Sequence, residues 1–219
     1  MEKLELVIGN KVYSSWSLRA WLALKHTGAS FTETVLFMDT PAFKPAVRKY
    51  SPTGKVPLLK HGSLAIWDSL AICEYLAEQF PAAGLWPEDA TARALARSAS
   101  AEMHSGFMAI RKNLPFNCRV SGRHVDVSAE LEAEINRVVE LWRNCRARYG
   151  SGGPWLFGQF SIADAMYIPV ALRFVTYGTK LDTMARAYLE TAQSLLAIQE
   201  WIAAAKLEKA VIETSEVGR

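Results

Sequence analysis

The chain has 219 residues, half of them hydrophobic and 21% charged, and its 25 Lys and Arg against 22 Asp and Glu give a formal net charge of +3. That composition excludes a disordered chain, and the near-balance of charge leaves no basic footprint for nucleic acid. No apolar run reaches the roughly 18 residues that span a bilayer, and the opening MEKLELVIGN carries Glu2 and Glu5 where a secretory leader needs apolar residues. A cytoplasmic enzyme or binding protein, of one large or two modest domains, is the expectation.

LELVIG (Leu4 to Gly9) reads as a strand ended by Gly-Asn. SWSLRAWLALKHTG places Leu18, Trp21, Leu22 and Leu24 on one helical face, with Gly28 as its stop. Phe31 to Phe37 alternates as a second strand, and residues from Pro41 to Tyr50 form a short weak helix. KVPLLKHGSLAIW predicts two strands, Pro57 to Leu59 and Leu64 to Trp67, turned at His61-Gly62. DSLAICEYLAEQF then begins a helix capped by Asp68 or Ser69, with Leu70, Cys73, Leu76 and Phe80 inward.

The order through residue 80 is therefore βαβαββα. PAAGLWPEDAT, with Pro81, Gly84 and Pro87, predicts a linker over 81–90. From residue 91 to 219 the pattern is helical throughout, without a convincing strand. The clearest helix is SAELEAEINRVVELWRNCRARY, and the almost wholly apolar FSIADAMYIPVALRF predicts a central buried one.

Three cysteines, Cys73, Cys118 and Cys145, lie far apart, which argues for a reducing compartment rather than a disulfide framework. No two of the four histidines have metal-ligand spacing, so no metal is expected. Chemistry is instead expected at two helix starts. Ser14 and Ser15 stand between the first strand and first helix, where free N–H groups and the helix dipole favour an anion such as a thiolate. Ser14-x-x-Ser17 occupies the place of a thioredoxin-type CxxC; without cysteines it can only stabilise a thiolate brought by a ligand, and helix capping is the plain alternative. Val56-Pro57 opens a strand with a residue that cannot donate to a ladder. Asp68-Ser69 offers an acid and a hydroxyl at a second helix start.

Taken together in order and spacing, YSSWSLRAWLAL, GKVPLLKHGSLAIWDSLAICEYLAE and FSIADAMYIPVAL make the chain resemble a cytosolic glutathione S-transferase over essentially its full length. The first stretch is most similar to serine-type, zeta- and theta-like members of bacterial style. The resemblance implies an α+β thioredoxin-like N-terminal domain at 1–80, a linker at 81–90, an all-α domain at 91–219, and a homodimer. It implies glutathione as co-substrate, transferred to a small hydrophobic electrophile. Ser14 matches the thiol-activating serine, with Ser15 as its neighbour and alternate. Val56 matches the residue whose backbone pairs with the cysteinyl part, Pro57 the cis proline, and Asp68 and Ser69 the pair that holds the γ-glutamyl end. Lys55 stands where many members carry a glutamine. Ser161-x-x-Asp164 matches the capping box of the central helix.

The electrophile side is expected from Trp16 and from the first long helix of the second half, around Met103, His104, Phe107, Met108 and Arg111, together with Arg173. The two arginines call for anionic partners. Trp16 stands where zeta members have a cysteine, which weighs against the alternative of a maleylacetoacetate-type isomerase. A non-catalytic interaction protein on the same scaffold is the other reading, and an omega-type reductase lacks the cysteine it needs near position 14.

Overall fold

The computed structural model describes residues 2–218. Its first part builds a four-stranded sheet from β1 (Leu4–Gly9), β2 (Phe31–Leu36), β3 (Leu58–His61) and β4 (Leu64–Trp67), in the order β2-β1-β3-β4. β1 and β2 are parallel, joined through α1 (Ser15–His26), whereas β3 runs antiparallel to both β1 and β4. α2 (Phe43–Arg48) and α3 (Ser69–Gln79) complete this part. Leu6, Val7 and Ile8 of β1 are all fully buried, because helices and the rest of the chain cover a central strand on both faces.

Six further α-helices follow: α4 (Ala90–Ser105), α5 (Met108–Asn113), α6 (Ala129–Tyr149), α7 (Ile162–Thr176), α8 (Thr183–Ser194) and α9 (Leu196–Leu207). Beyond residue 90 the described residues hold only two isolated β-bridges, Trp155 with Gly158 and Phe157 with Gln159. α7 is the central helix that its composition predicts, with Ile162 through Val170 buried without a break. Its capping box forms: Asp164 accepts from the Ser161 N–H at 2.9 Å.

The differences from expectation have local causes. β3 begins at Leu58 rather than Pro57, since proline has no N–H for the ladder, and extends to His61, which pairs with both Leu4 and Leu64. The hairpin loop is consequently Gly62-Ser63, with Gly62 at φ +58° supplying the left-handed turn. β2 stops at Leu36, one residue short, and leaves Phe37 exposed. The 81–90 segment is docked onto the helices: Leu85 is buried and its carbonyl accepts from the Ile162 N–H at 2.9 Å.

The two parts share one continuous hydrophobic core. Buried Arg19 on α1 donates from Nε to the Met166 carbonyl on α7, and Trp201 on α9 donates to the Lys11 carbonyl at 2.8 Å. Glu208 accepts from the Lys11 and Val12 N–H groups, which ties the chain beyond α9 to the turn that leads into α1.

Candidate functional site

Three segments distant in sequence meet around a cavity of about 550 Å³. One wall is Trp16, on the first turn of α1; the next is the loop entering β3, with Thr53, Lys55, Val56 and Pro57. The third is the junction of β4 and α3, with Trp67, Asp68 and Ser69, and His104 near the end of α4 closes the space from the helical side. The Val56–Pro57 peptide bond is cis. A larger cavity, about 740 Å³, lies between the 83–89 segment and the 148–161 region and contains none of the expected site residues.

Ser14 is the N-cap of α1, and its hydroxyl is used inside the protein. Its Oγ accepts from the Ser17 N–H at 3.3 Å and donates to Ser17 Oγ at 2.7 Å; Ser17 Oγ in turn accepts from the Gly9 N–H at 3.0 Å. Ser15 differs. Its Oγ accepts from Arg173 Nη2 at 3.2 Å, and its own hydroxyl hydrogen has no acceptor among the described residues. Both serines are buried behind Trp16 rather than on the cavity wall.

Around them three guanidinium groups converge. Arg19 and Arg111 lie 4.3 and 4.6 Å from the Trp16 ring centre, a distance at which the cations gain from the ring's negative face. Burial, and then the charges of Arg111 and Arg173, hold Arg19 well below the ordinary arginine range. Burial, and then the charge of Arg111, push Arg173 down to about 9, so it stays a cation at neutral pH. The three thus add positive potential to the N-terminal end of α1, which is already positive through its unpaired N–H groups.

Anionic partners were expected for Arg111 and Arg173; among the described residues their hydrogen bonds go to backbone carbonyls and, for Arg173, to the Ser15 hydroxyl as well. Arg111 donates to the Gly106 carbonyl at 2.9 Å and also to that of Met103; Arg173 donates to the Leu114 carbonyl. Glu134 acts on Arg111 only through its charge, partly offsetting the burial that lowers it. The ends of helices leave carbonyls without intrahelical partners, and these arginines satisfy them.

That capping also explains why most of the expected electrophile residues do not reach the cavity. α4 ends at Ser105, Gly106 is extended, and Phe107 takes a left-handed conformation at φ +60°. The chain therefore reverses: Met103 and Phe107 enter the core, while Met108 is 64% exposed. Of the residues expected there, only Trp16 and His104 line the cavity. Thr53 and Trp67 line it without having been singled out; Trp67 was visible in the sequence as the strand residue immediately before Asp68.

Asp68 is the N-cap of α3 at φ 76° and ψ 132°, a backbone conformation costing an L-residue about 1–3 kcal/mol. Its Oδ1 accepts from the Leu70 and Ala71 N–H groups at 2.9 and 3.2 Å, and its Oδ2 faces His104 Nε2 at 3.1 Å. The Ser69 hydroxyl is buried and has no partner among the described residues. The cap thus sets a carboxylate oxygen, which can accept from a cation, beside a hydroxyl that has no partner among the described residues.

No cysteine of the protein serves this site. Cys73 and Cys118 are pushed up to about 12, and Cys145 to about 11, in each case chiefly by burial, so all three are inert thiols at neutral pH. Among the described residues no group of three or more His, Cys, Asp or Glu is arranged to hold a metal ion, and no helix is long and apolar enough to cross a membrane.

Residues 13–79 match the family model described as glutathione S-transferase, N-terminal domain. The chain is 26% identical over 200 residues to glutathione S-transferase Z1 of Arabidopsis thaliana, covering 86% of this chain and 89% of that one. It is 37% identical over 94 residues to glutathione S-transferase 1 of Dianthus caryophyllus, covering 43% and 42% of the two chains. Its fold is shared with a glutathione transferase homolog from Burkholderia gl BGR1 solved with bound glutathione, at a TM-score of 0.71 and 22% identity over 94% of this chain and 98% of that one. The family match falls on the segment that carries both helix starts and the Val56–Pro57 turn, the likenesses of sequence and fold extend through the helical part, and residues 13–79 are those of a glutathione S-transferase N-terminal domain.

Proposed function

We propose that the protein binds glutathione in the Trp16–Asp68–His104 cavity and transfers it, as its thiolate, to a small hydrophobic electrophile. The observation that carries this reading is the meeting, in one cavity, of the α1 start, the Val56–Pro57 turn and the α3 start. Each suits one part of the tripeptide. Asp68 and Ser69 take the γ-glutamyl ammonium and carboxylate, the Val56 backbone pairs with the cysteinyl amide, and Lys55 offers a cation to a ligand carboxylate. The thiol then falls at the N-terminal end of α1.

There the dipole of α1 and the Arg19, Arg111 and Arg173 charges favour the ionised sulfur. A free thiol with a pKa near 8.5 is only about 3% thiolate at pH 7, so a modest lowering greatly increases the reactive fraction. The nucleophile is the ligand's sulfur; the protein's part is to orient it and hold its charge. Trp16, on the first turn of α1, forms the wall on which the electrophile rests.

Glutathione-assisted isomerisation would use the same bound thiolate, but Trp16 in place of the zeta cysteine favours conjugation. We further place the protein in the cytoplasm, with its three thiols reduced, as a homodimer. Support for the dimer comes from β4, the edge strand of the sheet, whose Leu64 is 48% exposed. Retention on immobilised glutathione, followed by turnover of a reactive aryl halide with glutathione, tests the reading. A protein that binds neither the resin nor free glutathione is no transferase.

A further inference from the structure

We propose that His104 is a positioning residue for the γ-glutamyl end of glutathione, holding the Asp68 carboxylate in the free enzyme and yielding it to the ligand's ammonium group. The inference rests on the glutathione reading and adds to it a coupling between binding and protonation.

The geometry leaves little alternative for Asp68. One of its oxygens is spent on the Leu70 and Ala71 N–H groups, and the backbone at φ 76° is fixed by the start of α3. Oδ2 is the oxygen left for an incoming ammonium, and His104 Nε2 already stands 3.1 Å from it. An imidazolium there and an ammonium on the same oxygen repel each other, so the two cations compete.

His104 is the partner free to give way. Its Nδ1 has no hydrogen-bond partner among the described residues, and its ring meets Trp16 only edge-on, with centres 5.3 Å apart. The charged groups facing it are Asp68 from α3, Arg111 from α5, whose Nη2 is 3.5 Å from the His104 carbonyl, Arg19 from α1 across the Trp16 ring, and Lys55 on the facing wall. Asp68 is the only anion among them. When the ammonium takes Oδ2, those cations remain, the imidazolium loses its counter-charge, and its proton passes to water.

The direction follows from linkage: a ligand that displaces a proton binds more tightly as pH rises through the imidazole range. S-Methylglutathione is the probe, because its blocked sulfur has no proton of its own to lose. Calorimetry from pH 5.5 to 7.5, in buffers of different ionisation enthalpy, reads both the affinity and the protons released. The wild type is expected to release protons on binding within this range and to bind more tightly as pH rises, the limit for one proton being about tenfold per pH unit. His104→Gln should bind with no proton release and with an affinity that is flat with pH and no weaker than wild type at pH 5.5. The same tripeptide lacking its γ-glutamyl amine should release no proton from the wild type.

Binding by the wild type without proton release overturns the proposal and leaves the glutathione reading intact. So does His104→Gln binding more weakly at every pH, which would make His104 a direct ligand. Failure of the wild type to bind S-methylglutathione or glutathione at any pH overturns both.

Discussion

The guanidinium of Arg173, on α7, donates to the hydroxyl of Ser15, on the first turn of α1, at 3.2 Å, across the junction of the two parts of the chain. Because Ser15 accepts that bond, its own O–H is left to donate elsewhere, whereas the Ser14 proton is held by Ser17. Of the two hydroxyls, that of Ser15 is the one whose proton has no acceptor among the described residues.

The two serines separate by experiment. A hydrogen bond to a charged group contributes about 1.5–3 kcal/mol, or roughly one to two pH units in the pKa of the thiol. Ser15→Ala is expected to raise the pKa of bound glutathione by about one pH unit and to lower kcat/KM at pH 6.5 about tenfold, with recovery at higher pH. Ser14→Ala is expected to cost about 1 kcal/mol of stability as a lost cap and to move the thiol less. Thiolate absorbance of the bound tripeptide and thermal melts read the two effects. A larger thiol shift in Ser14→Ala returns the role to Ser14.

Glu216 is the anchor of the C-terminal segment. Its side chain is 5% exposed and accepts from the Tyr13 hydroxyl at 2.7 Å, Asn117 Nδ2 at 2.9 Å, Arg119 Nη2 at 3.3 Å and Arg123 Nη2 at 2.7 Å. Glu216→Ala strands two largely buried cations and should lower the unfolding free energy by about 3 kcal/mol. Arg137, paired with Glu102 and Glu140 on the surface, is the contrast: Arg137→Ala should cost less than about 1 kcal/mol. Urea denaturation of both variants checks the ordering, and equal losses would mean that Glu216 carries no special weight.

Asp164 sets a pH dependence of stability. Burial pushes it up from 3.8 to about 6 against the hydrogen bonds from the Leu156 and Ser161 N–H groups and from the Tyr188 and Ser161 hydroxyls. Between pH 4 and 6 the folded protein therefore binds more protons than the unfolded chain. The stability from this group is complete below its unfolded pKa and is lost as pH rises through about 6, by up to about 3 kcal/mol. Relative to Asp164→Asn, the wild type should lose ground over that window in denaturation at successive pH values. A difference that stays constant, or changes in the opposite sense, shows a carboxylate ionised throughout.

The dimer is checked by analytical ultracentrifugation. A mass near twice the 24.3 kDa of the chain is expected at micromolar protein. Leu64→Lys, placing charge on the exposed end of β4, should shift it toward the monomer. A wild type that sediments as a monomer removes the basis for the dimer.

Much of the architecture is legible in the chain because it is written locally. Gly28, Asp68, the Ser161–Asp164 box and the alternation of β1 each act within a few residues, and α1, α3, α6 and α7 form where the capping and apolar periodicity place them. Of the expected site, Val56, Pro57, Asp68, Ser69 and Lys55 meet in one cavity because they sit at element boundaries, where the backbone itself fixes their direction. The turn at Gly106–Phe107 was not legible, and with it went Met103, Phe107, Met108 and Arg111: a helix face continued through residue 111 differs wholly from one broken at 105.

By itself the sequence determined the order of elements, the two helix starts that favour anions, and the lack of a cysteine pair at the start of α1. Only the tertiary structure decided which serine keeps a free proton, that Arg111 and Arg173 cap carbonyls rather than meet carboxylates, and that His104 reaches Asp68. These depend on side chains from separate elements approaching within 3 to 4 Å, a property of packing that hydrophobic period and capping residues do not encode.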